Sequence, residues 1–208
     1  MHINDILELN GLSLELLKQY SFRSQLGLSL KRTLRHFDKA ALFAELRQYR
    51  NYLILQNIAD NTALDYRIKS QDSIEEKYDR YYPNSECFKV FNDILGFRAF
   101  CGDYSDIISA ESDILKIIDM SHGKRLDDGY RGVHVYYQLD NYHYQIEIQF
   151  NTFFDRQMNN WLHDYVYKKK YPLEIGQQLR TAYENGQIID LHSFEVKLND
   201  LLSCEKHE

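Results

Sequence analysis

Four short clusters in this 208-residue chain combine residues that hold phosphate with carboxylates that could hold a metal ion or take a proton. The first is Arg67-x-Lys69-x-x-x-Ser73-x-x-x-Lys77. It gathers three cations near the mouth of a helix, where free N–H groups and the helix dipole already draw anions. That suits a triphosphate; the plain alternative is a charged surface with a capping serine. The second is Asp93-Ile94-Leu95-Gly96-Phe97-Arg98, the third Gly129-Tyr130-Arg131-Gly132-Val133-His134 and the fourth Glu147-Ile148-Gln149. Asp93 starts the strand that carries Arg98, or simply caps a turn. Glu147 lies in an apolar and aromatic run, where a carboxylate needs a partner. Two carboxylates on neighbouring strands make an oxygen-rich Mg2+ site. Tyr130 sits in a glycine-flanked loop, where its ring either meets a ligand or covers a hairpin. A weaker fifth cluster is Asn159-Asn160-Trp161, followed by Tyr167-Lys168.

The elements that must position these groups follow from periodicity. Residues 3–20 read as one or two short helices broken at Gly11. Residues 29–56 carry Leu30, Leu34, Phe37, Ala41 and Ala44 at helical spacing, predicting one long helix with a buried stripe. On another face of it Lys31, Arg35 and Lys39 recur every four residues, with Arg32 beside them. These basic groups read as a solvated face or as a phosphate-binding face. Residues 64–69 alternate as a short strand, placing Arg67 and Lys69 on one side. Ser73-Ile74-Glu75-Glu76 has the form of a capping box, predicting a helix that runs to about Tyr81 and stops before Pro83. Residues 86–92 read as helix, 97–101 as a buried strand and 104–118 as an amphipathic helix. Residues 119–132 form a polar loop with three glycines. Residues 133–139 and 142–150 make a hairpin turning at Asp140-Asn141, with Glu147 and Gln149 on its polar face. Residues 153–169, 173–186 and 190–203 read as helices. The fold class is α+β, a mixed sheet of about five strands flanked by helices.

Composition narrows the function classes. Lys plus Arg is 25 against 31 Asp plus Glu, a net charge of −6. Residues 23–50 nevertheless hold Arg23, Lys31, Arg32, Arg35, Lys39, Arg47 and Arg50 against Asp38 and Glu45, which is +5 and leaves −11 elsewhere. The chain is not a general nucleic-acid binder, yet it has one local anion-binding stretch. Two prolines and nine glycines exclude long flexible linkers. Cys87, Cys101 and Cys204 are widely spaced and form no CxxC pair, which disfavours a zinc site or a disulfide framework. They suggest a reducing, cytoplasmic setting, with Cys101 in the core and Cys204 in an exposed tail. The N-terminus lacks a signal-peptide pattern, and no run reaches membrane-helix length. No P-loop, GxGxxG or HExxH motif occurs. His163-Asp164 lacks the further ligands that a metal phosphohydrolase needs.

In this order, over residues 64–170, the clusters resemble the synthetase domain of the RelA/SpoT family. The resemblance implies a nucleotidyltransferase-like synthetase fold in one domain, 1–208. It would have N-terminal helices in 1–63, a catalytic core in 64–170 and C-terminal helices in 171–208. It implies transfer of pyrophosphate from ATP to a ribose 3′-hydroxyl. Arg67 and Arg98 would sandwich the adenine, and Lys69, Ser73 and Lys77 would hold the phosphates. Asp93 and Glu147 would hold Mg2+, and Glu147 would help take the hydroxyl proton. Tyr130 would stack on the acceptor base, with His134, Gln149 and Asn159 as further acceptor-side groups.

Three departures lie toward the acceptor. Asn151 stands where the family has arginine after its EIQ strand, Gly132 replaces a serine, and the stretch before Trp161 is about three residues longer. These departures and the short C-terminal part favour the small toxic members of the family, which modify the 3′-terminal adenosine of tRNA and are restrained by antitoxins. Lys31, Arg32, Arg35 and Lys39 would then track the tRNA backbone. The alternative acceptor is GDP or GTP, giving the alarmones (p)ppGpp. Housekeeping alarmone synthetases build homo-oligomers through longer C-terminal helices.

Overall fold

The computed structural model describes residues 3–112 and 114–204, with only the backbone of Cys204, so the expectation for that thiol lies outside the described residues. Packing divides the chain into two compact units. The first comprises the residues up to Ala99 with Ser105–Ile118 and His134–Phe150. The second comprises Phe100–Tyr104, Asp119–Val133 and the residues from Asn151 onward.

The first unit opens with helices α1 (Ile3–Leu9) and α2 (Leu14–Tyr20), followed by α3 (Lys39–Leu55) and the short α4 (Ile58–Asn61). Strand β1 (Asp65–Ile68) leads into α5 (Gln71–Tyr81) and α6 (Cys87–Val90). Then come β2 (Leu95–Phe100), α7 (Ser105–Ile108), β3 (Leu115–Met120), β4 (Gly132–Tyr137) and β5 (Ile146–Asn151). The strands form one mixed five-stranded sheet in the order β1-β2-β5-β4-β3. This is the α+β class expected.

Alternation along the strands gives the sheet two unlike faces. Leu95, Phe97 and Ala99 of β2 are buried, as are Val135 and Tyr137 of β4 and Ile146, Ile148 and Phe150 of β5. Helices supply the other half of this core. Tyr20 of α2 lies 6.1 Å from Phe97, and Tyr49 of α3 stacks between Phe22 (4.9 Å) and Tyr144 (5.4 Å). The buried Glu45 carboxylate in α3 accepts from the Gln25 amide (2.5 Å) and the Tyr144 hydroxyl (2.8 Å), so its charge does not stand alone.

The second unit is helical. It contains α8 (Phe153–Trp161), running on into a π-helical turn (Leu162–Tyr167), then α9 (Leu173–Glu184) and α10 (Leu191–Cys204). Its core includes Met158, Leu162, Val166, Ile175, Leu179 and Phe194.

Several local expectations are corrected. The helix expected over 29–56 begins only at Lys39, because the extended Asp38 caps it by accepting from the Ala41 amide (2.8 Å). Ahead of it only Leu34–His36 turn, as a 3-10 helix. The chain there is instead held by backbone bonds from Leu30 to Asn141, Leu34 to Ser85, Cys87 to Arg32 and Phe88 to Leu30. Such pairing overrides helical spacing. Lys31, Arg32, Arg35 and Lys39 therefore do not share a helix face.

The amphipathic helix expected over 104–118 is α7 followed by β3. The Ser112 hydroxyl accepts from the Ile114 and Leu115 amides and ends the turn, and the β-branched Ile117-Ile118 pair suits an edge strand. The hairpin turn is longer than Asp140-Asn141. Tyr144 donates its amide to Phe22 rather than continuing β5, and Asp140 accepts from the Tyr142 amide and faces His143 Nδ1. Cys101, expected in the core, is half-buried, while Cys87 is fully buried; both are free thiols. No helix among the described residues is long and apolar enough to cross a membrane.

Candidate active site

The polar face of the sheet carries the first candidate residues. In the antiparallel β1–β2 pair Asp65 lies opposite Arg98 and Arg67 opposite Gly96, so all four point to one side. Arg67 and Arg98 occupy diagonal positions on that side, about 7–8 Å apart at the backbone. Arg98 Nη1 rests 3.4 Å from Asp65 Oδ2. Two guanidinium planes standing over one sheet face can bracket a flat ring. Gly96 has a second effect: a Cβ there would come 3.5 Å from Glu147 Oε2, so Glu147 of β5 lies on the same face. The missing side chain leaves a gap between Arg67 and Glu147.

Asp93, just before β2, is the centre of charge. Its Oδ2 accepts from Lys69 Nζ at 2.5 Å and lies 3.4 Å from Arg67 Nη2, and its Oδ1 accepts from Lys77 Nζ at 3.0 Å. Lys77 also donates to Asn92 Oδ1 at 3.0 Å. Backbone bonds hold this geometry: the Lys69 amide donates to the Ile94 carbonyl (2.9 Å), and Arg50 of α3 donates to the Lys69 carbonyl (2.8 Å). Burial pushes the Asp93 carboxyl up, but Lys77 and Lys69 together outweigh it and hold Asp93 below the ordinary carboxylate range. Burial likewise pulls the Lys69 ammonium down; Asp93 opposes this without cancelling it. One carboxylate balanced by two lysines and an arginine is a locally cationic centre.

The sequence misplaces the start of α5. Ser70, not Ser73, is the cap: its hydroxyl accepts from the Ser73 amide (3.3 Å). Ser73 sits in the first helical turn, where its hydroxyl accepts from Ser70 Oγ (2.9 Å). Lys77 follows one turn later on the same stripe, so Ser73 and Lys77 share the side that meets Asp93. Beside Lys77 and Asn92 opens a cleft of about 480 Å3 that Tyr81, Asn84 and Lys89 also line.

Glu147 is 5% exposed and fully hydrogen-bonded. Its Oε1 accepts from the Tyr136 hydroxyl (2.9 Å) and faces His134 Nδ1 (3.0 Å), and its Oε2 accepts from Gln149 Nε2 (2.7 Å). Burial pushes this carboxyl up and Asp93 adds to the rise. The His134 hydrogen bond and charge, with the Tyr136 bond, hold it below the usual range. Glu147 is therefore ionised near neutral pH. Among the described residues no cluster of three or more His, Cys, Asp or Glu side chains exists that could hold a metal by itself. On the surface His163 pairs with Asp164, which also meets Lys168.

Tyr130 and Asn159 belong to the second unit. The Tyr130 amide donates to Asp128 Oδ1 (3.2 Å), and Lys124 Nζ stands 5.0 Å from the ring centroid. Asn159 is buried, and both ends of its amide are engaged: Oδ1 accepts from the Arg131 amide (3.2 Å) and Arg180 Nη2 (2.9 Å), while Nδ2 donates to the Arg131 carbonyl (2.7 Å). Asn151, in the place of the family arginine, also donates to that carbonyl (2.8 Å). Sequence reasoning missed Arg180. Its one signal was a cation set among Gly176, Leu179 and Tyr183 on the buried stripe of an amphipathic helix.

Of the basic stretch, Lys31, Arg32 and Arg35 are exposed, and the backbone of Arg32 and Arg35 is bonded to the Pro83–Cys87 segment. Lys39 instead reaches Asp79 (3.3 Å) and lies 4.7 Å from the Tyr78 ring centroid.

A family model described as a region found in RelA/SpoT proteins matches residues 66–172, just over half of the chain. No curated protein matches the chain in sequence. Among solved structures, small alarmone synthetase 1 from Bacillus subtilis bound to its product pppGpp aligns over 81% of this chain and 92% of its own, at 22% identity and a TM-score of 0.42. Small alarmone synthetase 2 of the same organism aligns over 80% and 95%, also at 22% identity and 0.42. A GTP pyrophosphokinase family protein from Streptococcus pneumoniae aligns over 81% and 88%, at 22% identity and 0.39. With the four clusters carried on the strands and helices that its family region spans, the chain belongs to the RelA/SpoT family and is a pyrophosphokinase of that family's kind.

Proposed function

We propose that the protein moves the β,γ-pyrophosphate of ATP to a ribose 3′-hydroxyl, with the 3′-terminal adenosine of tRNA as the leading acceptor. One observation carries the chemistry: a polar sheet face with a cationic cluster around Asp93 on one side and an ionised carboxylate, Glu147, on the other. The adenine would lie between Arg67 and Arg98. Lys69, Ser73 and Lys77 would take the phosphates. The acceptor 3′-oxygen attacks the β-phosphorus, the bond from the β-phosphorus to the α-phosphate oxygen breaks, and AMP leaves. Glu147 receives the hydroxyl proton, oriented by His134, Tyr136 and Gln149. As in other phosphoryl transfers, the protein contributes mostly position and charge.

The residues present fit a magnesium ion. Asp93 and Glu147 are both oxygen donors, both buried, and near enough for the Asp93 charge to push the Glu147 carboxyl up. A divalent cation relieves that repulsion, and Mg2+ is bound by one or two carboxylates plus substrate phosphates. Lys69 and Lys77 already satisfy the Asp93 oxygens, and incoming phosphates offer those lysines other anions. When bound there, the ion would neutralise charge on the transferring group.

The tRNA reading is supported by Asn151, whose amide is turned onto the Arg131 carbonyl where the family places a cation. Exposed Lys31, Arg32 and Arg35 support it as a backbone contact, although they do not lie on one helix with Lys39. As such an enzyme the protein would act as a translation-blocking toxin with an antitoxin partner. A second reading, GDP or GTP as acceptor, is favoured by His134 and Gln149 flanking Glu147 as a compact polar set that a single nucleotide could fill. Incubation with γ-labelled ATP and either bulk tRNA or GDP separates the two. Label confined to guanosine products overturns the tRNA reading, and label in neither overturns the transfer itself.

A further inference from the structure

We propose that Arg180 is a positioning residue: with Tyr167 it clamps the Asp128–Arg131 main chain and so sets where the Tyr130 ring points. The inference rests on the reading of Tyr130 as an acceptor contact. All of the residues involved lie in the second unit.

Surface loops normally leave much of their backbone to water. Here four successive carbonyls are each held by a side chain. Tyr167 donates to Asp128 O (2.9 Å), Arg180 Nε to Gly129 O (2.7 Å) and Arg131 Nη1 to Tyr130 O (2.9 Å). Asn159 and Asn151 both donate to Arg131 O, at 2.7 and 2.8 Å. The amides are held as well: Gly129 and Tyr130 donate to the Asp127 and Asp128 carboxylates, and Arg131 to Asn159 Oδ1. The backbone also lies in direct contact with α9. Gly129 has φ +87°, and a Cβ on it would fall 2.3 Å from the Gly176 carbonyl oxygen, so only two glycines allow this approach.

Arg180 joins the loop to the helices. It is fully buried, and its three donating nitrogens point to three acceptors: Gly129 O, Asp155 Oδ1 (2.8 Å) and Asn159 Oδ1 (2.9 Å). Asp155 is itself fixed by the Tyr104 and Thr152 hydroxyls on Oδ2. A buried ion pair is weak evidence for stability, since apolar residues often serve as well. A planar fork that meets a backbone carbonyl, a carboxylate and an amide at once is strong evidence for fixed geometry. The π-helical turn that brings Tyr167 onto Asp128 points the same way, because such turns are costly and gather near working sites.

The test is hydrogen–deuterium exchange of the 127–133 segment in the full chain, together with KM for ATP and for the acceptor (GDP and bulk tRNA, each in turn). Arg180→Lys keeps a charge for Asp155 but loses the planar fork whose three nitrogens reach Gly129 O, Asp155 and Asn159 at once. It should speed exchange in this segment and raise acceptor KM by roughly 10-fold to 100-fold, the scale of a misplaced binding group, while ATP KM stays unchanged. Tyr167→Phe removes one hydroxyl and should act in the same direction to a smaller extent; it decides the matter should Arg180→Lys not fold. Unchanged exchange in the variants overturns the clamp. So does faster exchange with unaltered acceptor KM, if Tyr130→Ala raises that KM. If Tyr130→Ala itself leaves acceptor KM unaltered, the acceptor reading of Tyr130 fails, and exchange alone then judges the clamp.

Discussion

Replacing Asp93 with asparagine preserves shape and removes the charge that three cations share. At an effective dielectric of about 20, each lysine contact of 2.5 to 3.0 Å carries roughly 5 to 7 kcal/mol of gross attraction. Most of that offsets the cost of burying the ions, several kcal/mol apiece. Breaking a buried pair by removing one partner costs about 3–5 kcal/mol net. Arg67 is nearly half exposed and adds little. Asp93→Asn should therefore lower stability in urea by about 3 kcal/mol at pH 7, mainly through Lys69, whose side chain is only 11% exposed. Inorganic triphosphate supplies replacement anions, so it should restore the variant more than it stabilises the parent. A ligand at 100 times its Kd contributes about 2.7 kcal/mol, enough to recover most of the loss. The sign with pH follows from the depressed carboxyl of Asp93. Its contribution is complete above the unfolded value near 4 and is lost as pH falls through the lower folded value, so the gap between parent and variant should close in strong acid. A loss below about 1 kcal/mol, with equal rescue of both proteins by triphosphate, would refute the view that Asp93 pairs these lysines.

Glu147→Gln should reduce pyrophosphate transfer by at least about 100-fold while binding of a non-hydrolysable ATP analogue persists, read by equilibrium dialysis. His134→Ala removes a partner that holds the Glu147 carboxyl down, so the acid limb of the kcat profile should move to higher pH; an unmoved limb would show that Glu147 ionises independently of His134. Reversing Lys31, Arg32 and Arg35 to Glu should abolish label transfer to tRNA and leave ATP affinity intact, whereas equal loss of both would make the segment structural.

The chemistry was more legible than the scaffold. Arg67, Lys69 and Lys77 were expected together near a helix mouth; the structure adds Asp93, read in the sequence as a partner of Glu147, as the carboxylate that pairs with all three. Glu147 was readable as a carboxylate that had to be paired, although its partners His134 and Tyr136 come from a neighbouring strand. The largest misreading has a plain cause: backbone pairing with distant segments outweighed local pattern. Leu30 to Phe37 keep helical spacing, yet their amides and carbonyls bond to Ser85, Cys87, Phe88 and Asn141. Residues 114–118 alternate poorly but complete a sheet edge. Arg180 carries no motif, and its role depends on a carbonyl 51 residues earlier in the chain. No local pattern encodes such a contact.

The Asp93 pairing also bears on turnover. If Lys69 and Lys77 take the donor phosphates as proposed, those phosphates must win them from a carboxylate already bound to them. A chain of three phosphates brings enough charge to win that exchange. A monophosphate brings less and faces the same competitor. In the proposed transfer the β- and γ-phosphates leave with the acceptor and the remaining nucleotide is AMP. Asp93 can then reclaim its lysines. The carboxylate that keeps the cations in place would thus help eject the spent donor and shield the enzyme from inhibition by cellular monophosphates.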